Sequence, residues 1–131
     1  LAIDAVQSGI ESVAIITPYV AQSVLFKQLL TSHSREAQYI DCRTVHRFQG
    51  GERALVILDA VDTSPFPPGI LLSGRQSNSS AKNLINVAIS RARGKLIIVS
   101  DVAYFKTNSP KSAIHTVLKH AIKQGNLVSL E

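Results

Sequence analysis

Short, unbroken runs of β-branched and aliphatic residues, set apart by stretches of helical spacing, restrict the fold of this chain more than any other feature. Ser12 to Ile16, Ala54 to Val61 and Leu96 to Ser100 are the strongest runs. Strands that are apolar on consecutive residues, rather than alternate ones, are covered on both faces. Gln38 to Asp41 reads as a further short strand, Leu1 to Gly9 as the end of a helix, and Asn126 to Leu130 as a last edge strand. Thr17 caps a helix whose first position is Pro18, with Ala21, Val24, Leu25 and Leu29 along one face. Asn83 to Arg91 has helical character. Ser109-Pro110 opens another helix, with Ala113, Val117, Leu118, Ala121 and Ile122 on one side and Gly125 closing it. The alternation predicts an α/β fold, a mostly parallel sheet with helices on both faces. In such sheets ligands sit at the carboxyl ends of the strands. The segments that follow those ends are Thr17-Pro18-Tyr19, Asp41 to Gly51 and Ser100-Asp101.

A length of 131 residues suits a single domain, read here as residues 1–131. The absence of any methionine suggests a fragment of a longer protein. Residues 62–82 differ in kind: Pro65, Pro67, Pro68, Gly69, Gly74 and a Ser/Asn cluster mark a loop insertion. The apolar runs are too short to cross a bilayer, and no basic n-region with a cleavage site opens the chain. One cysteine, Cys42, builds neither a disulfide framework nor a cysteine zinc site, which points to a cytoplasmic, intracellular setting and no membrane partner.

The net charge of +5 suits a polyanionic partner. Arg75, Lys82, Arg91, Arg93 and Lys95 face no acid between Thr63 and Ser100, and neither do Lys106, Lys111, Lys119 and Lys123 between Val102 and Leu130. A solvated basic surface gives the same pattern. No Gly-rich loop ends in Lys-Ser or Lys-Thr, and no Gly-x-Ser-x-Gly elbow is present. His115 and His120 lie about 140° apart around a helix, too far to share a metal, and His33 and His46 have no ligand-spaced partner, so no metal site is expected. Cys42 reads as a small buried residue.

Three segments carry chemistry. Ala14 to Gln22 is a strand leading into a helix, with Tyr19 and Gln22 near the ligand edge; the ring is placed either to stack on a base or to rim the core. Thr44-Val-His-Arg-Phe-Gln-Gly-Gly-Glu52 precedes the strand Leu55 to Leu58. Its adjacent glycines permit close backbone approach, Thr44 is expected to aim its hydroxyl outward at a phosphate, and Glu52 to accept from a sugar hydroxyl; a plain Gly-Gly turn has the same letters. Asn86-Val-Ala-Ile-Ser-Arg-Ala-Arg93 ends in arginines that either complement a helix dipole or neutralise a transferring phosphoryl group.

Together and in this order, the three segments resemble motifs IV, V and VI of superfamily 1 helicases, in the branch of the RNA-surveillance and nuclease-helicase enzymes. The resemblance covers residues 12 to 101, and Phe-Gln-Gly-x-Glu and Asn-Val-Ala-x-Ser-Arg-Ala are its specific part. It implies a RecA-like fold: the C-terminal motor lobe of an ATP-dependent DNA or RNA helicase, without a Walker A of its own. Tyr19, Gln22, Gly50, Glu52 and Arg91 would then meet the nucleotide, Arg91 as the catalytic arginine finger, and Thr44 the nucleic-acid backbone. The implied partners are single-stranded DNA or RNA and the N-terminal RecA-like lobe, which would hold most of the ATP and its Mg²⁺. The lobe alone is not expected to hydrolyse ATP. Val20 and Ser23 stand where many members carry an arginine, and Ala54 where Asp is common. These departures define an alternative: a helicase-like module that binds nucleic acid without coupling to ATP.

Overall fold

The computed structural model describes residues 1–48, 50–69, 72 and 80–130, with side chains from residue 85 onward in the last stretch. Its centre is a four-stranded sheet, all parallel, of β1 (Val13–Thr17), β2 (Ile40–Thr44), β3 (Arg53–Asp59) and β4 (Ala92–Val99), in the order β2-β1-β3-β4. The helices are α1 (Ala2–Gln7), α2 (Val20–Leu30), α3 (Ser34–Ala37), α4 (Ser80–Arg91), α5 (Val102–Asn108) and α6 (Ala113–Lys123). None among the described residues is long and apolar enough to cross a membrane.

Successive strand residues point to opposite faces, so the apolar runs feed two cores. Val13, Ile15, Ile40, Cys42, Leu55 and Ile57 pack with Ala2 of α1 and with Phe26 and Leu30 of α2. Ala14, Ile16, Val56 and Leu58 pack with Ile85 and Ala88 of α4, Tyr104 and Phe105 of α5, and Ile114 and Leu118 of α6. Each such apolar side chain contributes about 1.5–3 kcal/mol on full burial, which is why the unbroken runs could be read as double-faced. The expected parallel α/β sheet is what the chain forms.

Between β2 and β3 the chain crosses β1 without an α-helix. A single 3₁₀ turn, Val45–Arg47, drops Val45 and Phe48 into the second core beneath α4. The crossover therefore starts at the carboxyl edge of the sheet and ends at the amino edge.

Several local expectations are corrected. Thr17 does not cap α2, which begins at Val20 with Tyr19 in the cap position, because Thr17 completes β1 and pairs with Thr44. The apolar stripe Ala21, Val24, Leu25 and Leu29 faces outward: Leu29 is 59% exposed and Val20 65%. Ser23, Phe26 and Leu30 form the inward face instead. β3 stops at Asp59, since Val61 takes φ +63° in a tight turn closed by Asp62 N–H on Ala60 O at 2.6 Å. Ser109 caps the end of α5 rather than opening α6. Ser112 caps α6, its hydroxyl accepting from His115 N–H at 3.2 Å. Asn126 to Leu130 forms no strand. Gly125 behaves as read: at φ +75° it donates to Ile122 O while Asn126 donates to Ala121 O, closing α6 in a Schellman turn. Of the 62–82 insertion, residues 70, 71 and 73–79 lie outside the described residues, and α4 already begins at Ser80.

Candidate functional site

The direction of the chain reverses at β1: α2 leads outward to β2, and the crossover leads back past β1 to β3. Such a reversal opens a crevice between the carboxyl ends of β1 and β3, the usual ligand position of an open parallel sheet. Here protein side chains bridge it. Gln22 Nε2 donates to Asp59 Oδ2 at 2.9 Å, and the Tyr19 hydroxyl donates to Asp62 Oδ1. Asp62 also accepts from Gly69 N–H at 2.9 Å, so the first part of the Pro-rich loop is drawn onto Tyr19. The contact is close enough that a Cβ on Gly69 would lie 1.9 Å from the Tyr19 hydroxyl oxygen. Burial, then the hydrogen bond to Asp62 and its charge, push the Tyr19 phenol well above its ordinary range.

The same loop is held at two further points. Thr63 donates to Asp101 at 2.7 Å, and Tyr104 donates to the carbonyl of Phe66 at 2.7 Å. Asp101 also accepts from Tyr104 N–H as the cap of α5. These two hydrogen bonds hold its carboxyl below the usual carboxylate range. Phe66 itself projects, 73% exposed.

Thr44 lies on the same carboxyl edge, beside Thr17 on β1. Its side chain does not aim outward as expected: it is buried. Alternation along β2 puts Thr44 on the face of Ile40 and Cys42, and its carbonyl accepts from Phe48 N–H at 3.1 Å to start the 3₁₀ turn. Cys42, buried on that face, has its thiol pushed up to about 11 by burial and by Asp41.

Gly50, Glu52 and Arg91 belong to the opposite side of the sheet. Gly50 and Gly51 both take positive φ, +81° and +83°, so the glycine pair is required by the backbone and not only by composition. Glu52 is exposed immediately before β3. Arg91 is the last residue of α4, and its successor Ala92 pairs in register with Arg53. The Arg91 Nε is buried and has no hydrogen-bond partner among the described residues. Just beyond it the β3–β4 register shifts between Arg53 and Leu55, where Gly94 lies against Ala54. A Cβ on Gly94 would be 2.6 Å from the Ala54 carbonyl oxygen, so the bulge admits only glycine without movement.

The six residues singled out in the sequence are thus brought together as two groups, not one. Tyr19, Gln22 and Thr44 share the carboxyl edge; Gly50, Glu52 and Arg91 approach the amino edge. The seven residues of β3 separate the edges, roughly 20 Å at the rise of a parallel strand. Sequence reasoning placed Asp101 beyond a strand end without giving it a role and missed Asp59 and Asp62; together the three organise the carboxyl edge. Their signal was an acid at or just beyond the end of the β3 and β4 runs.

With this geometry in hand, comparison with known proteins places the sheet. A family described as AAA domain matches residues 2–103, a span that includes all four strands. The chain belongs to the AAA domain family. Its four parallel strands flanked by helices are the RecA-like arrangement. A protein of Methanocaldococcus jannaschii named as an uncharacterized ATP-dependent helicase is 34% identical over 87 residues, which is 66% of this chain. The match takes in 11% of that protein, so this AAA domain chain corresponds to a small part of its relative's length. Among the described residues no cluster of His, Cys, Asp and Glu is assembled to hold a metal ion.

Proposed function

We propose that this chain is the second RecA-like lobe of an ATP-dependent DNA or RNA helicase of superfamily 1. The observation that carries the reading is Arg91: a guanidinium at the α4–β4 junction whose buried Nε has no acceptor among the described residues. Arg91 is only half-buried as a whole, so its side chain remains open to a phosphoryl oxygen held by the preceding lobe, while the enclosed Nε is a donor whose unmet bond costs free energy. Gly50 and Gly51 fit the same ligand, since neither has anything within 4 Å of an added Cβ except the Arg53 side chain at Gly51. Glu52, exposed beside them, is placed to accept from a ribose hydroxyl. In this scheme the nucleotide meets the amino edge, and Arg91 neutralises charge that develops on the transferring phosphoryl group. Mg²⁺ would be held by the lobe that carries the Walker A.

The carboxyl edge is then left for the single strand. Tyr19 and Gln22, implied by the resemblance to meet the base, stand with Thr44 at this far end of the sheet. On this reading the nucleotide held at Arg91 is not shared with them. Basic residues on this chain add a sequence-independent attraction for backbone phosphates.

The test is Arg91→Ala and Arg91→Lys in the complete polypeptide, measured as strand-stimulated ATP hydrolysis and as ATP affinity. An arginine finger is worth roughly 10³ to 10⁵ in rate. Hydrolysis lost on that scale, with affinity changed by less than about tenfold, is the expected result. A tenfold or smaller loss of rate would remove Arg91 from the mechanism. The second reading, a nucleic-acid-binding module uncoupled from ATP, is favoured by one observation: Tyr19 and Gln22 are already bonded to Asp62 and Asp59. It requires salt-sensitive strand binding by a complete polypeptide that does not turn over ATP.

A further inference from the structure

The turn of Gly50, Gly51 and Glu52 is the least supported part of the crossover. Phe48 anchors its near end in the core, only 3% exposed. Beyond Phe48, the described residues show no backbone–backbone hydrogen bond to positions 50–52. One side chain takes over that task. Arg53 Nη1 donates to the Glu52 carbonyl at 3.1 Å, and Arg53 Nη2 meets Asp41 Oδ2 at 3.4 Å across β1. The guanidinium carbon lies 5.3 Å from the centroid of the Phe48 ring. On Gly51, a Cβ would lie 2.9 Å from Nη1. A planar cation therefore lies over an aromatic ring and close to a glycine backbone, with a carbonyl and a carboxylate within its reach.

We propose that Arg53 is the positioning residue of the amino edge: its guanidinium fixes the Gly50–Glu52 turn, and so the direction in which Glu52 faces a bound nucleotide beside Arg91. The proposal rests on the reading that this turn meets the nucleotide. Arg53 pairs in register with Ala92, so the end of the turn and the end of α4 leave the sheet side by side. Asp41 sets the position of the guanidinium from β2, and Arg43 shares that carboxylate at 2.8 Å. A lysine does not replace this arrangement, because an ammonium lacks the planar fork that donates along two fixed directions beside the Phe48 ring. Gly51 is likewise explained: besides its positive φ, a side chain there would displace the guanidinium.

Three variants of the complete polypeptide test this: Arg53→Lys, Arg53→Ala and Asp41→Asn. Two readouts are needed, amide hydrogen exchange over residues 45–53 and the ATP dependence of strand-stimulated hydrolysis. The expected result is exchange faster by about tenfold or more in that segment, with β1 and β3 still protected. KM for ATP should rise by about tenfold while kcat changes far less, the mark of lost ground-state positioning. Arg53→Lys should fail like Arg53→Ala, and Asp41→Asn should show a smaller effect in the same direction. Unchanged exchange in both Arg53 variants, or full rescue by lysine, overturns the proposal. Faster exchange with an unchanged KM overturns the nucleotide reading on which it rests and leaves Arg53 as an anchor of the fold alone.

Discussion

The hydroxyl of Tyr19 and the carboxylate of Asp62, forty-three residues apart in sequence, are hydrogen-bonded across the crevice between β1 and β3. The bond joins the end of the first strand to a loop that composition alone describes as loose. Gly69 N–H on the same carboxylate doubles the attachment. The crevice that a RecA-like sheet offers at its topological reversal is in this chain a fastened seam.

Removing the phenol oxygen should loosen that seam. Tyr19→Phe is expected to cost about 1.5–3 kcal/mol, the range for a hydrogen bond to a charged group, and to raise exchange at Gly69. Denaturant unfolding measures the first and amide exchange the second. A loss below about 0.3 kcal/mol would show that the loop is held without Tyr19.

Asp101 supplies a pH-dependent increment. Its carboxyl is held below the ordinary range by Tyr104 N–H and by Thr63, so the stabilisation is present above the unfolded-state value near 3.9 and is lost as pH falls through the lower folded-state value. Asp101→Ala should cost about 1 kcal/mol at neutral pH, as for other N-cap deletions. The difference from the unsubstituted protein should shrink with acidification. A difference that stays constant from pH 7 to pH 3 would rule out the carboxylate as its source.

The outward stripe of α2 separates composition from packing. Leu25→Gln and Leu29→Gln, at exposed positions, should change stability by no more than about 0.5 kcal/mol. Phe26→Ala, on the inward face against the first core, should cost about 3 kcal/mol or more. Equal losses from the outward and inward substitutions, read from urea denaturation, would mean that the outward stripe is buried in the folded protein.

The α2 case also shows where sequence reading reached its limit. Periodicity found a helix with a broad apolar face, but two helical faces offered side chains, and only the path of β1 decides which turns inward. That path puts Ser23 against the sheet, a residue no hydrophobic pattern selects. β1 and β3 were legible because double-sided burial demands unbroken apolar runs. β2, whose burial alternates, was read too early in the chain, as Gln38 to Asp41 instead of Ile40–Thr44, and Cys42 was read as buried only for want of any other signal. The end of β3 was missed because the strained turn at Val61 is carried by a β-branched residue instead of a glycine. α5 went unread since Ser100-Asp101 was read only as the segment that follows a strand, although the hydrogen bond of Asp101 to Tyr104 N–H marks a helix start. For the candidate site, residue types were readable and their distribution was not. The motif from Thr44 to Glu52 is contiguous in sequence, yet it crosses the sheet, so its first and last members serve different edges.

The outer strands of the sheet have a consequence for self-association. Among the described residues β2 and β4 each leave one side without a neighbouring strand, and an unpaired strand invites a second copy to add itself there. Arg43 stands exposed on β2, and Arg93 and Lys95 stand exposed on β4, the latter pair beside the kink at Gly94. Two copies that approached β4 to β4 would bring cations against cations across the irregular pairing at Gly94, whereas on β2 the charge of Arg43 is met by Asp41. The basic residues that suit a polyanion thus also oppose strand addition at β4.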